Sequence, residues 1–156
     1  MFDRFTERAR RVIFFSRLEA SKTGCHAIST EHLLLGLMRE NMYLLPEFPP
    51  DSDLAAIRSE LFGQPPAESV PTSVDIPLTE SAVRVLQQSA RERYSLKQDL
   101  VTSGHLLLGI LGEEESDACA ILKRYGVQRE HVMARMPDSS GEQGPPNPDI
   151  ASDFLS

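Results

Sequence analysis

The sequence predicts an all-α fold built from one helical unit that is used twice. The stretch from Phe5 to Arg39 returns without a gap from Leu78 to Gly112, 73 residues later, and the run from His32 to Gly36 recurs unchanged from His105 to Gly109. Within each copy, apolar residues recur at the spacing of a helix. A gapless repeat of this length indicates a supersecondary unit whose two copies complete each other's apolar faces. We therefore predict two pseudo-twofold related repeats of up to four helices each, forming one globule.

The first helix of each copy starts with a threonine and a glutamate, Thr6-Glu7 and Thr79-Glu80. Threonine is a good N-cap, and the carboxylate lies near the positive end of the helix dipole. The first helix is expected to end near Gly24, because glycine tolerates the left-handed backbone that often terminates helices. The second copy has a lysine at the matched position, so its end is less well specified.

The second helix of each copy is predicted to be capped by Thr30 or Ser103. Four apolar residues are almost contiguous in each of these helices, which indicates a central position in the fold. Gly36 and Gly109 interrupt them at a cost of roughly 1 kcal/mol each relative to alanine, which indicates a close approach of another helix. We expect these glycines to mark the place where the two repeats cross.

The copies diverge after the shared unit. In the second, a helix is predicted from Ser116 to Arg124, ending at Gly126, and a short one from Gln128 to Met136. In the first, the segment from Tyr43 to Pro50 contains three prolines and cannot be a regular helix throughout, so the third helix is shortened or lost. A helix is predicted to resume at about Asp53 and run to Phe62, with Asp51 or Ser52 as its cap.

These patterns predict one domain over residues 2–136, made of repeat one (2–63), a linker (64–77) and repeat two (78–136). The linker is rich in proline, and Val74 to Ile76 is expected to be briefly extended. Residues 137–156 form a tail rich in proline and glycine, with four acidic residues and no base. Its apolar end, Ile150 to Ser156, is either a frayed terminus or a docking peptide for a partner or a neighbouring copy.

Composition and charge exclude several classes of function. With 40% hydrophobic and 25% charged residues, the chain has the composition of an ordinary globular protein. The net charge of −7 argues against binding nucleic acid, and we interpret the locally basic first helix as a solvated face. No segment approaches the roughly 20 apolar residues that a membrane span needs. We expect a cytoplasmic protein in which Cys25 and Cys119 are reduced thiols.

No motif indicates catalysis. The sequence lacks the P-loop motif as well as the H-E-x-x-H and G-x-S-x-G motifs. His26 and His32 are six residues apart, a spacing that does not place them on one helical face for a metal ion. Cys25 precedes a helix start, which can activate a thiol, but nothing marks a carboxylate to orient His26. We therefore predict a protein without catalytic residues, metal ligands or cofactors.

Phe14 and Phe15 are the most informative difference between the copies, because the matched residues are Gln87 and Gln88. Two interpretations stay open. The rings are either covered by the irregular segment from Tyr43 to Pro50, which also differs between copies, or they form an apolar patch that binds protein.

The run Phe5 to Val12, followed by Gly24 and then by Thr30 to Leu37, closely resembles the Clp N-terminal repeat domain. That domain is found at the amino terminus of the ClpA and ClpC class of AAA+ unfoldases. The resemblance covers residues 2–136, with departures at Tyr43 to Pro50 and at Leu100 to Gly104. It implies two four-helix repeats and a non-enzymatic module that binds adaptor proteins and substrate segments.

The resemblance also implies a site for phosphorylated arginine at the start of the second helix of each repeat, where a glutamate contacts the guanidinium group. Thr30 and Glu31 match this motif, whereas Ser103-Gly104 supplies no carboxylate. Helix N-terminal amides and a hydroxyl suit phosphate, and a carboxylate pairs with a planar guanidinium. The alternative is that Thr30 and Glu31 are only a cap and a partner of the helix dipole.

Together these observations predict a stand-alone protein-binding module linked to Clp-type proteolysis. Its expected partners are the unfoldase or protease, an adaptor, or substrate segments. The alternative function is an oligomeric structural or sensor protein that assembles through its tail, for which we expect a homodimer.

Overall fold

The computed structural model describes residues 2–49, 53–64, 66, 68, 70–71 and 75–136. The tail from 137 to 156, Val74 of the predicted extended segment, and the predicted caps Asp51 and Ser52 lie outside these residues. Within the described part there are helices and no β-strand, so the all-α prediction is confirmed. The helices are α1 (Glu7–Lys22), α2 (Thr30–Glu40), α3 (Leu54–Phe62), α4 (Glu80–Ser95), α5 (Ser103–Gly112), α6 (Asp117–Arg124) and α7 (Arg129–Arg135), and a 3-10 turn lies at Met42–Leu44.

The first helices, α1 and α4, begin where the sequence predicts, and α1 also ends where it predicts. The Thr6 hydroxyl accepts a hydrogen bond from the Ala9 amide, and matched Thr79 does the same for Ala82, both at 3.1 Å. After α1, Gly24 has φ 70°, and after α4 the matched lysine is held at φ 56°. The two repeats therefore use the same left-handed turn, although repeat two has no glycine there to relieve the strain.

The second helices start one residue earlier than predicted. Their N-caps are Ser29 and Thr102, not Thr30 and Ser103. The reason is a reciprocal cap with the histidine three residues on. Ser29 Oγ accepts from the His32 amide at 3.3 Å, while His32 Nδ1 accepts from the Ser29 amide at 3.0 Å. Histidine here takes the place of the usual glutamate or glutamine of a capping box.

The two helix glycines mark a crossing within each repeat, so the expected crossing between repeats is wrong. A Cβ added at Gly36 would lie 2.4 Å from the carbonyl oxygen of Val12 in α1. One added at Gly109 would lie 2.6 Å from that of Val85 in α4. Each second helix thus packs with backbone contact against the first helix of its own repeat.

The third helix of repeat one is lost, as predicted from its prolines. The 3-10 turn at Met42–Leu44 stands where repeat two has α6. The following helix, α3, is capped by Asp53, whose Oδ1 accepts from the Ala55 amide at 2.9 Å. The predicted caps Asp51 and Ser52 were therefore wrong by two and one residues. Asp53, which was predicted to be the first residue of the helix, is its cap, and the helix begins at Leu54.

The last helix of each repeat is held to the first by a matched ion pair. Arg58 of α3 donates two hydrogen bonds, at 2.7 and 2.8 Å, to the fully buried carboxylate of Glu19 in α1. In repeat two, Arg129 of α7 binds Glu92 of α4, which is matched to Glu19. The Arg129 hydrogen bonds hold the pKa of Glu92 below its ordinary value.

The repeats are joined by two short parallel backbone bridges related by the internal symmetry. Phe5, which leads into α1, pairs with Val101, which leads into α5. Leu78, which leads into α4, pairs with Ile28, which leads into α2. The residues before the first helix of each repeat are thus bonded to those before the second helix of the other. We call these two bridges the backbone clasp.

Four hydrogen bonds make the clasp. In the first bridge, the Thr6 amide donates to the Val101 carbonyl at 2.9 Å, and the Val101 amide donates to the Arg4 carbonyl at 2.6 Å. In the second, the Ile28 amide donates to the Pro77 carbonyl at 2.8 Å, and the Thr79 amide donates to the Ile28 carbonyl at 2.9 Å. Between the joined repeats, α2 and α5 are almost wholly buried, as their all-round apolar character predicts. One hydrophobic core results, drawn from both copies.

His32 and His105 lie in this core beside the clasp and are neutral. Burial lowers the pKa of each imidazole to about 4. His32 Nε2 is 2.8 Å from Thr23 Oγ1, and its ring stacks on Phe62 with centroids 4.3 Å apart. Leu96 stands at the position matched to Thr23, and Nε2 of His105 has no hydrogen-bond partner in the described part of the chain. In the unfolded chain a histidine has a pKa near 6.5, which exceeds the value of about 4 in the folded protein. The unfolded chain therefore binds protons first, and the free energy of unfolding contributed by these histidines above pH 6.5 is lost as the pH falls towards 4.

Replacing Gly109 with alanine tests the close crossing of α5 on α4. The new methyl group would contact the backbone oxygen of Val85, so we expect the free energy of unfolding to fall by about 1–3 kcal/mol. Gly112→Ala in the same helix is the matched control, because its Cβ would lie 3.5 Å from Gln88 and should change stability by less than about 1 kcal/mol. Urea denaturation followed by circular dichroism measures both. Equal effects of the two substitutions would contradict the crossing.

Candidate functional site

Repeat one carries a partly exposed aromatic and cationic surface on α1 and α2. The rings of Phe14 and Phe15 are both half-buried and meet edge to face, with centroids 5.8 Å apart. The guanidinium carbon of Arg39, near the end of α2, lies 4.4 Å from the centroid of the Phe15 ring. This distance is within the range of a cation–π interaction. We call Phe14, Phe15 and Arg39 the aromatic ridge.

The helix period explains why these rings lie at the surface. Val12, Ile13 and Ser16 of α1 turn into the core, which leaves positions 14 and 15 on the flank of the helix. Nη1 of Arg39 lies 3.8 Å from the buried carboxylate of Glu19, which is within ion-pair range. All three residues of the ridge lie on the packed helices α1 and α2.

The matched surface of repeat two has a different character. Gln87 and Gln88 stand where repeat one has phenylalanines, and Gly112 stands where it has Arg39. The smaller side chains leave an open pocket of about 320 Å³, flanked by the ion pair of Arg84 with Glu113. An apolar, cationic ridge on one repeat thus corresponds to a polar pocket on the other.

The irregular segment after α2, one suggested cover for the two phenylalanines, packs on repeat two. The Phe48 ring is buried and lies 4.5 Å from the ring of Tyr125, next to the end of α6. Arg135 of α7 donates to the carboxylate of Glu47 and, at 3.1 Å, to the carbonyl oxygen of Leu44. These contacts replace the missing third helix with a bridge to the other repeat, and the ridge stays partly exposed.

Thr30 and Glu31, the pair matching the phosphoarginine motif, both contact repeat two. Thr30 has 0% exposure, and its hydroxyl donates to Ser81 Oγ at 3.0 Å. Glu31 is half-buried, and its Oε2 accepts a hydrogen bond from the Ala118 amide at 3.1 Å. Ala118 is the second residue of α6, so the carboxylate satisfies a free amide at the positive end of that helix. Glu31 thus acts as a cap across the repeat boundary.

At the matched position of repeat two, the geometry leaves no such carboxylate and no room for one. The Ser103 hydroxyl accepts from Asn41 Nδ2 at 3.0 Å, and both residues are buried. A Cβ at Gly104 would lie 2.4 Å from Cγ of Met136, at the end of α7. The second motif is therefore both degenerate in sequence and covered by a side chain.

The four predicted site residues fall into two separate groups, the ridge and the start of α2. The sequence did not indicate Arg39 as part of the ridge, although the repeat alignment held the signal, since arginine is matched to glycine there. Nothing in the sequence pattern indicates that Glu31 caps α6, because that contact depends on how the repeats pack.

Other chemistry is limited in the described part of the chain. It contains no group of three or more residues able to hold a metal ion. Both cysteines are free, and the Cys25 thiol contacts the Thr23 hydroxyl at 3.3 Å. None of the helices is both long and apolar enough to cross a bilayer.

The family model for the Clp repeat (R) N-terminal domain matches residues 4–125, which is most of the chain. The chain belongs to the Clp N-terminal repeat family. The match includes both copies of the repeat and ends within the turn after α6.

Curated relatives are chaperones and ATP-binding subunits of Clp proteases. The chloroplastic chaperone protein ClpC2 of Arabidopsis thaliana is 34% identical over 144 residues, which cover 91% of this chain and 15% of that protein. The ClpA homologue of Porphyra purpurea, an ATP-binding subunit of the ATP-dependent Clp protease, is 32% identical over 149 residues, covering 94% and 18%. The chain spans less than a fifth of the length of these relatives.

Solved structures show the same fold. The N-terminal domain of the ClpD chaperone from Arabidopsis thaliana superposes with a TM-score of 0.70 at 28% identity, covering 86% of this chain and 96% of that one. The Hsp104 N-terminal domain from Candida albicans gives a TM-score of 0.66 at 18% identity, covering 85% and 88%, and shares the fold alone.

Proposed function

We propose that this chain is a non-enzymatic protein-binding module that serves Clp-type chaperones and proteases. The observation that carries the proposal is the aromatic ridge on repeat one, opposite a polar pocket on repeat two. Partly exposed aromatic rings beside an arginine are typical of the residues that dominate protein–protein binding energy. Because the ridge is carried by two packed helices, it has little conformational entropy to lose when a partner binds.

The expected partner is a Clp unfoldase or protease subunit, an adaptor, or a segment of a substrate. Support comes from the family, whose curated relatives are Clp chaperones and ATP-binding subunits. The free thiols of Cys25 and Cys119 suit a reducing compartment, for which we propose the cytoplasm. The ridge favours a partner segment with apolar side chains to cover the rings and an acidic group to face Arg39.

The ridge is tested by the double substitution Phe14→Ser with Phe15→Ser. Gln87→Ser with Gln88→Ser, at the matched positions of repeat two, is the control. The substitution removes the contacts of both rings with the partner. If these contacts contribute at least about 1.4 kcal/mol to the binding free energy, the affinity should fall about tenfold or more. Affinity capture from an extract of the source cells, with quantitative mass spectrometry, measures the recovery of Clp subunits, adaptors and unfolded clients.

We expect those proteins to be captured by the wild type and by the glutamine control, and to be depleted about tenfold in the phenylalanine variant. Urea denaturation of both variants verifies that they fold. Recovery of no Clp component, adaptor or unfolded client by the wild type would refute the proposed function. Equal recovery by the two folded variants would show that the protein binds its partners through a surface other than the ridge.

At Thr30 and Glu31 we propose a second, conditional site for the guanidinium group of phosphoarginine. A carboxylate can pair with a planar guanidinium in two parallel hydrogen bonds. Because Glu31 Oε2 already accepts a hydrogen bond from the Ala118 amide, a guanidinium group bound to the same carboxylate competes with that amide or shares the oxygen with it. Binding at Glu31 is therefore coupled to the start of α6. The buried Thr30 hydroxyl keeps its bond to Ser81, so the helix amides would receive the phosphate.

Titration of free phosphoarginine, followed by amide NMR, tests this coupling. We expect a saturable shift of the Ala118 resonance in the wild type and its loss in Glu31→Gln, which keeps the shape of the side chain and removes its charge. The amide of Gly104 at the matched position is the internal control and should not move. A titration in which Ala118 does not respond, or responds equally in Glu31→Gln, contradicts the proposed site.

A further inference from the structure

The linker between the repeats seals the C-terminal end of α1. The Val70 amide donates to the carbonyl oxygen of Ser21 at 3.1 Å, and the Ser21 hydroxyl donates back to the Val70 carbonyl. Val70 is buried by this pairing. Four residues earlier, Pro66 lies over Gly24, with its Cγ 2.6 Å from the place that a Cβ would take. Pro66 and Val70 of the linker thus cover this end of repeat one.

Among the described residues, none covers the matched end of α4 in repeat two in this way. Ser21 and Gly24 correspond to Tyr94 and Lys97. Tyr94 is 80% exposed, the most exposed large hydrophobic residue in the described part of the chain. Around it is an open pocket of about 400 Å³, lined by Arg93, Tyr94, Lys97, Gln98 and Asp99. We call this the Tyr94 pocket.

The tail repeats the sequence pattern of the sealing segment. Residues 65–70 of the linker read Pro-Pro-Ala-Glu-Ser-Val, and residues 145–150 of the tail read Pro-Pro-Asn-Pro-Asp-Ile. Each has two prolines, then three residues, then a β-branched aliphatic residue. Each also follows the last helix of its own repeat, α3 or α7. We propose that residues 145–150 dock in the Tyr94 pocket of the same chain, as the linker docks on α1.

The chemistry of the pocket suits this segment in a modified register. In repeat one, Pro66 occupies the space beside Gly24 that a Cβ would take. Lys97 stands at the matched position and has a Cβ, so a proline cannot approach the backbone of this turn as closely as Pro66 does. The exposed Tyr94 ring offers a flat face instead, and aromatic surfaces of this kind bind extended proline-rich segments. The stem of Lys97 adds apolar surface beside the ring.

Charge supports the same occupant. Arg93 and Lys97 outnumber Asp99 in the pocket lining. Arg93 is positioned by donating to the carbonyl oxygens of Gln98 and Asp99, both at 3.3 Å. The tail carries four carboxylates and no basic residue, and one of them, Asp149, directly precedes Ile150. An acidic extended segment is thus attracted to the basic side of the pocket.

The tail is long enough to reach the pocket. In repeat one, Pro66 reaches the end of α1 although it follows Phe62, the last residue of α3, by only four residues. Repeat two has ten residues from Met136 to Pro146, which extend to about 33 Å. Since α3 and α7 are held to the first helices by matched ion pairs, the two chain exits start from equivalent places. A linker of this length also gives a millimolar effective concentration, which favours docking within one chain.

Hydrogen exchange of the tail amides in the full chain tests the proposal independently of the ridge on repeat one. We expect the amides of Asp149 to Ala151 to exchange at least about tenfold more slowly than in a synthetic peptide of residues 143–156, which corresponds to about 1.4 kcal/mol of docking. Protection should be lost in Tyr94→Ala and in Ile150→Asp. It should remain in Arg91→Ala, because Arg91 is also exposed on the same helix and does not line the pocket.

Three results would overturn the inference. The first is exchange at the free-peptide rate in the wild type. The second is protection that survives Tyr94→Ala, which would place the segment elsewhere. The third is protection that falls on dilution of the protein, which would place the tail on a second copy of the chain.

Discussion

The backbone clasp is the constraint on which the rest of the fold depends. Two parallel bridges tie the residues that lead into the first helix of one repeat to those that lead into the second helix of the other. They bring the starts of the helices together in pairs and place the leucine-rich helices α2 and α5 at the centre of a single core. Neither repeat could satisfy these backbone groups alone. The outer faces of α1 and α4 are left free of this constraint, and the copies differ there.

Much of the fold could be predicted because its signals are local. The threonine caps of α1 and α4, the left-handed end of α1 and the proline-broken third helix all follow from short stretches of sequence. The cap of α2 was wrong by one residue because a histidine, which is not a usual capping-box partner, pairs with Ser29. Gly36 did indicate a close crossing. The helix that packs against Gly36 is α1 of the same repeat. The sequence could not identify it, because a glycine within a helix indicates a close approach without indicating which helix approaches.

The candidate site was predictable only where the copies differ. Aligning Phe14 and Phe15 with glutamines located the ridge, because a change between copies of one unit marks a surface outside their shared packing. The role of Glu31 was not predictable, since its bond to Ala118 joins residues far apart in sequence. The same holds for Met136, which fills the space above Gly104. Both depend on the packing between repeats that the clasp sets.

The central claim, that the two repeats are one cooperative unit closed by the clasp, is tested most directly by native-state hydrogen exchange. The amides of Thr6, Ile28, Thr79 and Val101 all donate across the repeat boundary. We predict that all four exchange only through global unfolding, with opening free energies equal to one another and to the free energy of unfolding in urea. An opening free energy clearly lower for either symmetric pair would show that the repeats separate before they unfold, and would contradict the account.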